Sequence, residues 1–254
     1  MDGERRSTTN TTVGERQSAA CADSEKGKMM KHTILPVIHY QTDARAVENA
    51  ERAFDAGCDG VLLISMDGDD EPLGPLAQEV KSRWNDKLVG VNYLTLPANV
   101  ALQRNLKDGL DLTWTDNAGI HSTGASTLAS FIERQLELAP GHQFLGAVAF
   151  KHQRAEPDPA AAAVMAHQRR MVPCTSGSAT GVAADVEKIR SIRAALGTAP
   201  LGIASGITPD NVLDYAPFVS HILVATGVSS NFYDFDFERL AVLVNRVRSL
   251  DGRA

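Results

Sequence analysis

The chain has 254 residues, of which 43% are hydrophobic and 22% are charged, as in ordinary globular proteins. Its formal net charge of -6 at pH 7 argues against a surface for polyanions, so we expect no nucleic-acid partner. No apolar run approaches the roughly 18 residues that a membrane span needs, and the three cysteines form no CxxC pair. We therefore expect a cytoplasmic protein without a membrane span and with reduced thiols.

The N-terminal segment differs in composition from the rest of the chain. Residues 1–31 are rich in Ser, Thr, Gly, Glu and Lys and nearly free of large apolar side chains. Such a segment buries too little surface to offset its ordering entropy, so we predict a disordered tail. From Ile34 onward the composition stays uniform, which predicts one domain over residues 32–254.

Eight short runs that are apolar on both faces recur along this domain. They are ILPVIH (34–39), VLLIS (61–65), LVGVN (88–92), LDLTWTD (110–116), FLGAVAF (144–150), MVPCT (171–175), LGIAS (201–205) and HILVAT (221–226). Parallel strands that are covered by helices on both faces show this pattern.

Stretches with helical periodicity follow each of these runs. They cover residues 43–57, 71–84, 97–109, 127–141, 158–170, 185–197, 208–216 and 236–250. The seventh is short, with Thr208 as the predicted N-cap and Pro209 at the first helical position.

Strict alternation of eight strands and eight helices predicts an α/β fold, the (β/α)₈ or TIM barrel. A doubly wound open sheet is the alternative, but it usually has fewer strands and a GxGxxG turn after the first one. Here the first strand ends in HYQTD, without glycine. The barrel is therefore favoured, and its active site is expected at the C-terminal ends of the strands.

Small residues and glycine follow the last three strands. Residues 203–211 read IASGITPDN, and residues 222–230 read ILVATGVSS. Many barrels hold a phosphate group after strands seven and eight on backbone N–H groups, where glycine allows close approach and a positive φ. The predicted phosphate-binding residues are Gly177, Ser205, Gly206, Thr226 and Gly227. Plain turns are the alternative interpretation.

Two neighbouring segments complete this prediction. VSSN (228–231) could open the short extra helix that often supports such a phosphate site. TSGSATG (175–181) could close over a substrate or be a flexible surface loop, and it lacks the spacing and the lysine of a P-loop.

Polar side chains end several of the other strands, and three of them are predicted to be catalytic. Asp116 could act as a general base or orient a ribose hydroxyl, or it could cap the following segment. Lys151 could neutralise an anion, protonate a leaving group or form a Schiff base, or it could reach a surface carboxylate. His39 could be an acid–base group or a metal ligand, or a structural histidine.

Three further residues are predicted to bind substrate: Asn92, Ser176 and Asp67. The run SMDGDDE (65–71) does not fit an EF-hand, and no protein metal site is predicted. Asp67 could still hold Mg²⁺ on a phosphorylated substrate, so Mg²⁺ is left open as a cofactor. Trp114 and Cys174 are interpreted as core residues.

At this point the sequence resembles known families. SGITPDNV (205–212) and ILVATGVSS resemble the phosphate grip of the phosphoribosylanthranilate isomerase group. PVIHY (36–40), DAGCDGVLLIS (55–65) and IASGITPDNV (203–212) resemble the BtpA-like family, over most of residues 33–250. That resemblance implies a phosphate-binding barrel, in a family whose founding member is associated with photosystem I biogenesis.

One difference from the isomerases concerns the catalytic residues, and it decides whether their reaction can be expected here. Those enzymes use a cysteine or aspartate after strand one and an aspartate after a later strand. Here strand one ends in His39 and strand six offers no carboxylate, so their reaction is not carried over.

The leading hypothesis is an enzyme that acts by acid–base chemistry on a small phosphorylated metabolite of ribose-phosphate or nucleotide type. Isomerisation, lyase chemistry and phosphoribosyl transfer are all open. The alternative is a non-catalytic, BtpA-like ligand-binding or assembly factor. The sequence leaves homo-oligomerisation open.

Overall fold

A computed structural model describes residues 31–252 of the chain, so the predicted disordered tail lies outside the described residues except for Lys31. The ten strands are β1 Thr33–His39, β2 Gly60–Ile64, β3 Leu88–Asn92, β4 Leu112–Thr115, β5 Ile120–His121, β6 Gly124–Ala125, β7 Gln143–Ala147, β8 Val172–Ser176, β9 Gly202–Ala204 and β10 His221–Val224. The helices are α1 Asp43–Asp55, α2 Leu73–Arg83, α3 Ala98–Lys107, α4 Thr127–Leu138, α5 Pro159–Gln168, α6 Val186–Leu196, α7 Val212–Tyr215 and α8 Phe237–Leu250.

Eight of these strands form a closed parallel barrel in the order β1-β10-β9-β8-β7-β4-β3-β2. Each barrel strand is followed by one of the eight helices, so the predicted TIM barrel is confirmed. The remaining strands, β5 and β6, form a small antiparallel hairpin between β4 and α4, which the sequence pattern did not predict. In the described part of the chain no helix is long and apolar enough to cross a membrane.

The interior of the barrel is filled by side chains that alternate with outward-facing ones along each strand. They include Leu35 and Val37 from β1 and Trp114 from β4, which packs edge-on against Phe150 at 6.3 Å between ring centroids. Cys174 is fully buried in the same cluster, as predicted, and burial raises the pKa of its thiol. Because of this alternation, a residue two positions beyond an interior residue faces the barrel mouth.

The seventh helix is shorter than predicted. Thr208 Oγ1 accepts a hydrogen bond from Asn211 N at 3.3 Å, and Asn211 Oδ1 accepts one from Thr208 N at 2.8 Å. The expected capping contact is therefore present, but α-helix extends only over Val212–Tyr215. Pro217 has no N–H to continue the helix, which tightens into a 3₁₀ turn at Ala216–Phe218.

The N-terminal end of the barrel is closed by a buried ionic network around Arg248 of α8. Its Nη2 donates to Asp59 Oδ2 at 2.6 Å and its Nη1 donates to Asp251 Oδ2 at 3.2 Å. The same guanidinium donates to the carbonyl oxygens of Gly57 and His32. The last helix is thus joined to both β1 and the turn before β2.

His221, at the start of β10, makes the stability of this end dependent on pH. Burial lowers the pKa of His221 to about 4, from an ordinary value of 6.5. Between these pH values the unfolded chain binds a proton that the folded protein does not, so the free energy of unfolding falls as the pH falls. Between pH 7 and pH 4.5 we expect His221 to contribute a loss of about 2 kcal/mol.

Urea unfolding of wild type and His221→Gln at both pH values measures this contribution. Glutamine can still bond to Gln143, the present partner of His221 Nε2, but it does not titrate. The variant should therefore lose less stability on acidification than the wild type. His167→Gln, at an exposed position of α5, is the control. An equal pH dependence in wild type and His221→Gln would refute the assignment.

Candidate active site

A cavity opens at the C-terminal ends of the barrel strands, and three kinds of residue line it. Its floor is apolar and includes Val37, Ile64, Trp114 and Leu223. One wall is formed by the loops after β9 and β10. The three predicted catalytic residues also line the cavity: Asp116 follows β4, across the barrel from these loops, Lys151 follows β7, and His39 ends β1, the neighbour of β10. The structure therefore brings the predicted acid–base groups and four of the five predicted phosphate-binding residues to one cavity.

His39 is the last residue of β1, two positions beyond the interior residue Val37. Its Nδ1 lies 2.9 Å from the backbone oxygen of Phe232, and its ring packs on the Phe232 ring at 4.3 Å between centroids. A carbonyl oxygen only accepts, so Nδ1 carries the proton and the neutral ring has an unprotonated Nε2. Burial, opposed by this hydrogen bond, lowers the pKa of His39, and the charge of Lys151 lowers it further. The neutral ring is suited to act as a base.

Asp116 follows β4 and is held by two neighbouring amides. Asn92 Nδ2 donates to Asp116 Oδ1 at 3.0 Å, and Gln153 Nε2 donates to the backbone oxygen of Asp116 at 2.6 Å. Gln153 also donates to Ala147 O, so it joins the ends of β4 and β7. The alternative in which Asp116 caps the following helix is not observed, since Ser126 caps α4. Asp116 is thus a fixed carboxylate at the cavity wall.

Lys151 lies in a turn four residues beyond β7. Its Nζ donates to Thr180 Oγ1 at 3.1 Å, and its backbone N donates to Ser176 Oγ at 2.9 Å. No carboxylate forms an ion pair with it in the described chain. Burial lowers the pKa of Lys151, whereas the charge of Asp116 raises it. A larger share of this amine is therefore neutral near pH 8 than in a solvated lysine.

This lowered pKa gives a testable reactivity. Competitive labelling with acetic anhydride across pH values, read by mass spectrometry, should give Lys151 a midpoint below the ordinary 10.5. Asp116→Asn should lower the midpoint further, because the carboxylate favours the charged amine. Exposed Lys107 serves as the internal reference. A midpoint that rises in Asp116→Asn would contradict the coupling between the two groups.

The loop after β9 has an unusual backbone. Ser205 and Gly206 adopt φ values of +70° and +68°, which glycine tolerates but serine rarely adopts. In the described chain the N–H groups of Gly206 and Ile207 donate to no protein acceptor. Successive N–H groups can point to a common anion where a left-handed residue adjoins one that is not, as in backbone nests, and Gly206 has a positive φ whereas Ile207 does not.

The loop after β10 contains a second pair of such groups. A 3₁₀ turn covers Thr226–Val228, and its first hydrogen bond is donated by Val228 N to Ala225 O at 3.0 Å. The N–H groups of Thr226 and Gly227 come before this bond, so, like the first N–H groups of any helical turn, they have no acceptor within the turn. The helix predicted to begin within 228–231 is wrong, because Ser229 is already extended and bridges to Phe235.

Glycine has a packing role in these loops. A Cβ on Gly206 would lie 2.3 Å from Ala183 N, and one on Gly227 would lie 2.0 Å from Ile207 O. One on Gly177 would lie 2.1 Å from Val182 O. The three glycines therefore let the loops after β8, β9 and β10 approach each other. Only Gly206 has the positive φ expected for a phosphate site, since those of Gly177 and Gly227 are not positive.

The remaining predicted residues lie away from the cavity surface. Ser176 is buried at the end of β8, and its hydroxyl donates to Gly177 O, which lines a neighbouring cavity. Asn92 is buried and acts on Asp116. Asp67 is exposed and accepts from Ser65 Oγ at 2.6 Å, which lowers the pKa of Asp67. No group of three His, Cys, Asp or Glu side chains in residues 31–252 could hold a metal ion.

Several functional neighbours were missed at the level of sequence. Phe232 lines the cavity from the loop after β10, and Gln153 lies in the turn after β7. Thr180 also lines it, from the segment 175–181 that was predicted to close over a substrate. Trp114 packs in the core as predicted but also forms part of the cavity floor. Its place at the mouth had a signal in the sequence, because Trp114 stands two residues before Asp116 and so on the same face of the strand.

Comparisons with known proteins place the fold. No family model matches the chain, and no curated protein matches it, so the BtpA-like resemblance stays a prediction. Phosphoribosyl anthranilate isomerase from Thermus thermophilus is similar in structure, with a TM-score of 0.59 and 15% identity over 86% of this chain and 99% of that one. The aldolase for 2-keto-3-deoxy-6-phospho-gluconate from Zymomonas mobilis has a TM-score of 0.59 and 13% identity, over 87% and 95%. Identities this low show the shared barrel alone.

Proposed function

We propose that this protein is an enzyme that acts on a small phosphorylated metabolite, of ribose-phosphate or nucleotide type, by acid–base chemistry at the barrel mouth. One observation carries the proposal. Backbone N–H groups without protein acceptors, in the loops after β9 and β10, share a cavity with His39, Asp116 and Lys151. Barrels of this fold include enzymes named for phosphorylated compounds, which supports the substrate class.

The phosphate would bind at Ser205–Ile207 and Thr226–Gly227. No positively charged side chain is needed there, because converging N–H groups and their peptide dipoles stabilise an anion. Binding energy from this non-reacting group can then be used to orient the reacting end of the substrate over the apolar floor.

The reacting end would extend across the cavity towards Asp116 and Lys151, with His39 at the side, next to the loop after β10. Neutral His39 and the Asp116 carboxylate can each accept a proton, and the Lys151 ammonium can donate one or neutralise a developing negative charge. The apolar floor excludes water and strengthens these electrostatic interactions. Proton transfer of this kind is common to isomerases, lyases and phosphoribosyl-transfer enzymes, so the proposal extends to acid–base chemistry and not to one of these classes.

Thermal unfolding with matched ligands tests the substrate class. At a hundredfold excess over Kd, ribose 5-phosphate should add about 2.7 kcal/mol to the free energy of unfolding, whereas ribose at the same concentration should add far less. Asp116→Asn should keep this stabilisation, since its carboxylate lies opposite the phosphate loops. An equal effect of ribose and ribose 5-phosphate, or no effect of either, would refute the phosphate site.

A further inference from the structure

A second cavity lies beside the mouth, between the loops after β7 and β8. Lys151 lines both cavities, and Thr180, its hydrogen-bond partner, stands at the mouth side of the boundary. The second cavity therefore begins where the proposed reacting centre ends.

Basic side chains without an ion-pair partner line this cavity. Arg154 and His152 line it, and neither side chain has a hydrogen bond or ion pair within residues 31–252. Lys188 Nζ lies beneath them and donates only to the backbone oxygens of Ser176, at 2.5 Å, and Ala149, at 3.2 Å. In a chain with a net charge of -6, this concentration of unpaired positive charge is a local feature of the surface.

The two carboxylates of the cavity are occupied by other contacts. Glu156 accepts from the backbone N of Ser122 at 2.9 Å and of Asp158 at 3.0 Å. Asp185 caps α6 by accepting from Glu187 N at 3.0 Å. Both carboxylates are thus bound to backbone N–H groups, while the positive side chains keep donors free.

The backbone that presents these groups is strained. Ala149 and His152 adopt φ values of +48° and +63°, a conformation that costs roughly 1 kcal/mol for each residue with a side chain. The turn they form places Lys151 at the mouth and Arg154 in the second cavity. Backbone strain of this kind is concentrated at sites that bind ligands, so it favours a binding role for this turn.

We infer that the second cavity binds a second anionic group of the same substrate, a phosphate or a carboxylate, with Arg154 as its principal side-chain ligand. This inference rests on the proposed function, because it takes the first phosphate to lie on the loops after β9 and β10. A guanidinium is suited to either anion, since it donates two parallel hydrogen bonds to a pair of oxygens. The substrate class is therefore a phosphorylated metabolite with two separate anionic ends.

Calorimetric titration at constant ionic strength, with two matched pairs of probes, tests the inference. Ribose 5-phosphate is compared with phosphoribosyl pyrophosphate, and glucose 6-phosphate with 6-phosphogluconate, so that the second anion is a phosphate in one pair and a carboxylate in the other. In at least one pair the doubly anionic probe should bind about tenfold or more tightly. Arg154→Gln should remove most of that gain and leave the singly anionic probe within about twofold. Arg154→Lys should retain part of it.

Arg134→Gln is the matched control, because Arg134 is an exposed arginine on α4 that does not line this cavity and has no ion pair in the described residues. Singly anionic probes that bind, with no gain from a second anion in either pair, would overturn the inference and leave the proposed function standing. A gain that Arg134→Gln removes as fully as Arg154→Gln would also overturn it. Failure of every phosphorylated probe to bind would overturn both.

Discussion

Replacing Gly206 by alanine should destabilise the protein by about 3 kcal/mol and abolish binding of ribose 5-phosphate. The φ of +68° alone costs a residue with a side chain about 1 kcal/mol. The new Cβ would also lie 2.3 to 2.5 Å from backbone atoms of Val182 and Ala183, which cannot rotate away. The loops after β8 and β9 must then separate, which moves the N–H groups of Gly206 and Ile207.

Gly109→Ala separates the cost of the positive φ from the cost of the close Cβ contacts. Gly109 has a φ of +71° but nothing within 4 Å of its ideal Cβ, so this variant should lose only about 1 kcal/mol and keep ligand binding. Urea unfolding measures the two stabilities, and calorimetry measures the two affinities. Equal stability losses in the two variants would show that the loops do not approach as closely as the structure has them.

Replacing Arg248 by methionine should destabilise the protein by about 3 kcal/mol or more. Methionine keeps the apolar stem but removes the guanidinium from Asp59 and Asp251 and from the backbone oxygens of His32 and Gly57. Removing one partner of a buried ion pair is costly because the remaining charge stays desolvated. The loss should appear as a lower urea midpoint with an unchanged slope.

Arg190→Met is the control for this variant. Arg190 pairs with Glu187 on α6 at 2.8 Å, but both side chains are more than half exposed, so the change should stay within about 0.5 kcal/mol. Ligand binding should be intact in both variants, since Arg248 lies at the N-terminal end of the barrel, opposite the mouth. A loss below 1 kcal/mol in Arg248→Met would contradict the importance of the network.

The barrel could be predicted because its signal is repeated eight times. Strands that are apolar on both faces alternate without a break with helices that are apolar on one face, and no other common architecture needs that pattern. The boundaries were less accurate, and the fifth barrel strand shows why. The apolar run extends to Phe150, but β7 ends at Ala147 because the chain turns at Ala149, with φ +48°. Phe150 is buried against Trp114 from the turn, and burial alone does not distinguish turn from strand.

The candidate site was predictable only where strand periodicity sets the direction of a side chain. His39 and Asp116 lie two residues beyond interior positions, so alternation brings both to the mouth. The Nδ1 partner of His39 is Phe232 O, 193 positions away, and no local pattern encodes that contact. The positive φ of Ser205 also lacks a signal, because serine rarely adopts it and only the surrounding loops impose it.

The most direct test of the phosphate site is the amide NMR spectrum of ¹⁵N-labelled protein titrated with ribose 5-phosphate. We predict that the largest shifts fall on the N–H groups of Gly206, Ile207, Thr226 and Gly227, and that inorganic phosphate moves the same four signals. Smaller shifts should follow at Asp116 and Lys151 with the sugar phosphate only. Shifts that cluster elsewhere, with these four signals unmoved at saturation, would contradict the account.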